Sequence, residues 1–166
     1  MIKATGRELL GQDSNGIDVF LDYSRTNVEY HLLETPNLIE LVKEVLPTID
    51  TNNEEQVIVE RNLGRMVGTT NLVETTGADE IVYAKRIGRD KFSRFAKNRS
   101  PIDTGWVVVV LRKADKGYSL WTAMCGHLLP ADAYVENSLF NQTHAMAYDE
   151  SLIQLDTVRT IDGKIE

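Results

Sequence analysis

An α+β fold, with an N-terminal helix or helices packed on one face of a mainly antiparallel sheet, is predicted by three features of the sequence. Leu38, Leu41, Val42, Val45 and Leu46 recur at steps of three and four residues, the period of an amphipathic helix. Two runs rich in β-formers, 104–113 and 117–126, meet at the short turn segment ADKG and read as a central antiparallel hairpin. The helix comes first and the strands follow. That order suits helices segregated to one side of a sheet rather than alternating with its strands.

Along the chain, residues 1–30 carry short apolar patches separated by Gly6, Gly11 and Gly16, and only VFLDY at 19–23 alternates enough to suggest a strand. Thr35 is placed to cap the helix, Pro36 suits its first turn, and Pro47 stops it. Asp50 to Glu55 is a polar loop, after which QVIVE and GRMVGTTNLVETT, with β-branched residues and Gly64 and Gly68, predict one or two strands. A turn at Gly77 and Ala78 leads into EIVYAKRI, where Ile81, Tyr83 and Lys85 oppose Val82, Ala84 and Arg86 across a strand. The basic segment that follows is expected to begin as strand and continue as loop or short helix. Beyond the hairpin, HLLPADAYVEN holds a proline and small residues, 138–148 suits a short helix, and the final residues suit a last strand or a tail.

At 166 residues and 42% hydrophobic, the chain has the size at which one core buries most of the apolar surface, so a single domain over 1–166 is expected, with 1–30 peripheral and 149–166 as a tail. The longest apolar run, Trp106 to Leu111, is six residues, far short of a bilayer span, and MIKATGRELLGQD lacks the apolar centre of a signal peptide. A cytoplasmic protein without a membrane partner is the expectation. Cys125 is the one cysteine, so no intramolecular disulfide can form, and a small buried hydrophobe is its expected role. No phosphate-binding Gly-rich loop, zinc motif or nucleophile elbow is present, and neither a metal nor a cofactor is expected.

Charge is unevenly placed. Lys85 to Arg99, KRIGRDKFSRFAKNR, has seven basic residues and one acid, Asp90, a local +6 against −13 for the rest of a chain of net charge −7. A local basic surface recruits phosphates even on an acidic protein. Lys85, Arg86, Arg89, Lys91, Arg94, Lys97 and Arg99 are therefore candidate phosphate-binding or nucleic-acid-binding residues, with Phe92 and Phe95 among them as contacts for bases. The alternative is a helical turn anchored in the core by the two phenylalanines, its basic face merely solvated.

His31, His127 and His144 are the side chains whose ordinary pKa lies near neutrality, and none has a second ligand at metal-binding spacing. A single histidine on or near an apolar segment is more often a satisfied structural residue. In SLWTAMCG, strict alternation puts Ser119 and Trp121 on one face and Leu120 and Thr122 on the other. With Leu120 facing the core, Thr122 would face it too. Its hydroxyl would then need a partner, either backbone or a phosphate or base.

The succession GRMVGTT, DEIVYAKR, DKFSRFAKNR, VVVVLRK, YSLWTAMCG, a proline-containing loop and SLFNQTHAM resembles a group of small uncharacterised bacterial proteins. These have a strand ending in a basic residue, an Arg-Phe-Val-Lys-like element, a hairpin and a Phe-x-x-x-His-Ala segment. The resemblance covers roughly residues 28–148 and assigns no activity. More distantly, the arrangement is similar to the fold of barnase-like, EndoU-like and RelE-like ribonucleases, which cleave RNA by proton transfer at the ribose 2′-hydroxyl and stabilisation of a pentavalent phosphate. That resemblance implies His31 as base and His144 as acid, Arg86 and Arg94 with Lys97 holding the phosphate, and Thr122 orienting it. The acidic balance of this chain departs from those enzymes. The expectation is a metal-independent RNA-cleaving domain. Its rival is a non-enzymatic module of a mobile element that binds nucleic acid or a protein partner, an inhibitor included.

Overall fold

The computed structural model describes residues 6–70, 72–74, 81–85, 91–96, 100–128, 134–136, 145–147 and 156–159, with side chains through 6–28, 31–33, 35–70 and 100–128. In chain order the elements begin with β1 (Arg7–Gln12), β2 (Asp18–Asp22), α1 (Glu29–Glu34), α2 (Leu38–Val45), β3 (Gln56–Asn62), β4 (Gly68–Thr70) and β5 (Leu72–Glu74). They continue with β6 (Ile81–Lys85), β7 (Lys91–Ala96), β8 (Ile102–Thr104), β9 (Trp106–Lys113) and β10 (Tyr118–Cys125), and end with β11 (Tyr134–Glu136), β12 (Ala145–Ala147) and β13 (Asp156–Arg159). Length alone suggests one core. The contacts group the chain into two compact units, 1–69 with 104–127 and 70–103 with 128–166.

In the first unit a five-stranded sheet runs β1-β2-β10-β9-β3. Its centre is the hairpin of β9 and β10, whose turn closes with the Ala114 amide donating to the Gly117 carbonyl at 3.0 Å. Val107, Val109 and Leu111 lie in one buried cluster with Leu120, Ala123 and Cys125 of β10 and with Leu38, Leu41, Val42 and Val45 of α2. Val108 and Val110, of opposite parity, are buried as well. A strand buried on both faces is why β9 reads as unbroken valine rather than as an alternating pattern.

The fold is thus mixed α and β with mainly antiparallel pairing, and among the described residues β2 with β10, β6 with β12, and β5 with β13 pair in parallel. The expected helix-first order is not what forms. Two strands precede the helices, and both helices are short. The helix expected after Thr35 is α2, followed by a 3-10 turn over Leu46–Thr48 that contains Pro47. Thr35 does not cap it through its side chain; that hydroxyl sits 3.7 Å from the Cys125 sulfur. His31 precedes that helix and lies within a short helix of its own, α1.

A buried carboxylate ties the β1–β2 turn to the segment before β3. Asp13 accepts hydrogen bonds from the amides of Asn15 and Ile17 at 2.8 and 2.9 Å and from Thr51 Oγ1 at 2.7 Å. Burial pushes its carboxyl up, but the Thr51 hydroxyl and the Ile17, Asn15 and Thr51 amides outweigh this and hold it below the usual aspartate value.

The second unit contains a six-stranded sheet in the order β12-β6-β7-β13-β5, with β11 also pairing β7. β7 is shared on one edge, Lys91 to Ser93 pairing with β11 and Phe95 to Ala96 with β13. Residues 91–96 are a strand, not the helical turn considered for Phe92 and Phe95, and 145–147, expected within a short helix, form β12. Residues three apart on a strand differ in parity, so the phenylalanine spacing does not define one face. No helix among the described residues is long and apolar enough to cross a membrane.

Candidate nucleic-acid interface

The described residues of the basic segment, Lys85 and 91–96, lie on two antiparallel strands. Lys85 ends β6 and Lys91 begins β7, while Arg94 pairs with Tyr83 and Lys91 with Glu136 of β11. Tyr83 also pairs with Ala145 of β12, so Ala145, Tyr83 and Arg94 form one row across three neighbouring strands. At about 4.8 Å per strand, that row spans roughly 10 Å. His144 directly precedes Ala145 in sequence. His144, Arg86, Arg89, Lys97 and Arg99 themselves lie outside the described residues.

His31 and Thr122 belong to the first unit. The chain touches β10 on both sides of α1: the Asn27 amide donates to the Trp121 carbonyl at 2.7 Å, and Thr35 Oγ1 meets Cys125. His31, half-buried, lies between these two tethers. Thr122 does not share the face of Leu120, because a bulge between them shifts the register and pairs Thr122 with Val110. A bulge inserts one residue and reverses parity beyond it. Ala123 and Cys125 therefore take the core side with Leu120, and Thr122 turns to the opposite face. Its Oγ1 is buried there with no hydrogen-bond partner among the described residues.

That opposite face carries two arginine–aromatic contacts that sequence inspection missed. Arg112 lies with its guanidinium carbon 3.6 Å above the centre of the Trp121 ring, and Arg7 sits at the same distance above Phe20. At the other end of β9, His127 Nδ1 approaches Glu60 Oε1 at 3.3 Å and its ring packs against Trp106 at 4.7 Å. These contacts join residues far apart in sequence. The visible signal was only a basic residue ending one hairpin strand and a tryptophan in the other. Among the described residues no three His, Cys, Asp or Glu side chains group to hold a metal ion.

Comparison with protein-family models, curated proteins and solved structures gives no match to this chain.

Proposed function

We propose that the chain binds RNA through its basic strand β7 and cleaves it without a metal ion, Arg94 holding the scissile phosphate and His144 transferring the proton. The observation that carries this reading is the row of Ala145, Tyr83 and Arg94, which sets the residue after His144 in register with the central arginine of the basic segment. A guanidinium forms paired, charge-assisted hydrogen bonds to phosphate oxygens and stabilises the charge that builds on a pentavalent phosphorus. A neutral imidazole takes the proton of the 2′-hydroxyl as that oxygen attacks. It then returns the proton to the leaving 5′-oxygen, giving a cyclic 2′,3′-phosphate and a free 5′-hydroxyl. Lys85 and Lys91 supply further charge along the backbone. His31 and Thr122, in the first unit, are not required.

Labelled single-stranded RNA incubated with the protein in EDTA tests this. Wild type is expected to cleave, and Arg94→Ala and His144→Ala each to lose at least about a hundredfold in rate. RNA retained intact in a salt-sensitive complex would replace the nuclease by a binding module; neither binding nor cleavage would leave β7 as a solvated basic strand.

A further inference from the structure

The five-stranded sheet of the first unit ends in two unlike edges. The register of β1 slips between Leu9 and Gly11, an irregularity that twists an edge away from further pairing. β3 instead pairs with β9 over its whole length without a slip, and it contains no proline. Among the described residues no strand pairs its other side. A regular edge of that length is a template for another chain.

The phase of the ladder says which residues face that edge. The Lys113 amide donates to the Glu55 carbonyl and the Leu63 amide to the Gly105 carbonyl, both at 2.9 Å. Odd-numbered residues of β3 therefore bond toward β9, and Gln56, Ile58 and Glu60 turn their backbone groups outward. In keeping with this, the Glu60 carbonyl accepts from Arg61 Nη1 at 3.2 Å. Ile58, at the middle of the strand, is 49% exposed.

The sequence of this edge is complementary to itself in one antiparallel register. With a two-fold axis at Ile58, the two copies of that residue lie opposite each other and exchange two backbone hydrogen bonds. Val57 then meets Val59, Gln56 meets Glu60, and Glu55 meets Arg61 of the second copy, each pair occurring twice. Glu55 is 88% exposed and has Lys113 only at 3.9 Å, so its carboxylate has room for a second cation. Arg61 spends one N–H of Nε, Nη1 and Nη2 each on Thr48 and Glu60, which leaves one on each terminal nitrogen. The neighbouring registers lose this match: one sets Glu54 against Glu60, and the other sets Ile58 against Glu60 and Val57 against Arg61. We propose that β3 is the contact edge of a two-fold homodimer, two copies of the chain pairing antiparallel about Ile58 so that their five-stranded sheets become continuous.

Sedimentation equilibrium of the full chain, loaded between micromolar and millimolar, tests this. A reversible monomer–dimer equilibrium is expected, with no larger species, because a two-fold contact closes on itself. Ile58→Lys sets two ammonium groups at the axis and should weaken the dimer about tenfold or more. Glu55→Arg and Arg61→Glu each turn two attractive pairs into two like-charge pairs and should weaken it about fivefold; together they swap the charges and should return the constant to within about twofold of wild type. Melting of the dilute monomer checks the folding of each variant. Amide hydrogen exchange of the wild type needs no variant: Ile58 should be protected at high loading and not at low, while Val57 and Val59, bonded to β9, stay protected at both. A chain that is monomeric at every loading overturns the proposal, as does exchange at Ile58 that ignores loading. A dimer that survives Ile58→Lys, one that the double charge swap fails to restore, or an assembly that grows beyond two overturns it as well.

Discussion

A buried hydroxyl without a partner costs about 1–3 kcal/mol, and Thr122 carries one on the face of β10 turned away from the core. Thr122→Val keeps the shape and removes the oxygen. It is expected to raise stability by about 1 kcal/mol in denaturant unfolding and to leave RNA cleavage unaltered; a large loss of cleavage with intact folding would return Thr122 to the phosphate-orienting role implied by the ribonuclease resemblance. Asp13 is the reverse case, a buried carboxylate fully supplied with donors. Because its folded pKa is depressed, its contribution to stability is complete above the unfolded value near 4 and fades as pH falls through the lower folded value. Asp13→Asn should therefore flatten the acid limb of a stability–pH profile and cost about 2–3 kcal/mol at neutral pH. Gly117 has φ +74, and a Cβ there would overlap the Asp18 carbonyl oxygen one residue before β10 joins β2. Gly117→Ala is expected to destabilise by more than about 2 kcal/mol, measured the same way.

At the scale of elements, what periodicity encodes was legible and what cross-strand partnership decides was not. The 3.6-residue recurrence in α2 and the two runs around ADKG specify themselves locally, and both formed close to their expected limits. Leu41→Ala, deleting a side chain at the centre of the α2 face, should cost about 3 kcal/mol by calorimetry or denaturant unfolding. The bulge after Leu120 was hidden because an inserted residue leaves no compositional mark, and it reversed the face assigned to Thr122. Three-residue strands such as β11 and β12 carry too few positions to show alternation and exist through their neighbours. The same limit hid the arginine–aromatic contacts: Arg112 and Trp121 meet only once the hairpin closes, and Arg7 reaches Phe20 only through the β1–β2 pairing. The basic segment was visible as composition, but its strand form depends on β6, β11 and β13.

Across the whole molecule, net charge −7 opposes nucleic acid, so any RNA affinity rests on a few local cations and is strongly screened. The logarithm of RNA affinity should fall linearly with the logarithm of salt, and removing one phosphate contact, as in Arg94→Ala, should reduce the slope by about 0.7. The five-stranded order β1-β2-β10-β9-β3 has a further consequence for how the protein is made. The middle of that sheet is the part synthesised last. β3 has no partner in the sheet except β9, and the strands that α2 chiefly covers are β9 and β10. At about 5–20 residues per second, the interval from Asn62 to Cys125 leaves these apolar segments waiting on the ribosome for roughly 3–13 seconds. During that interval the nascent chain depends on chaperones or on its own charge to avoid association, and a fragment ending at residue 70 should remain unfolded by circular dichroism however long it is given.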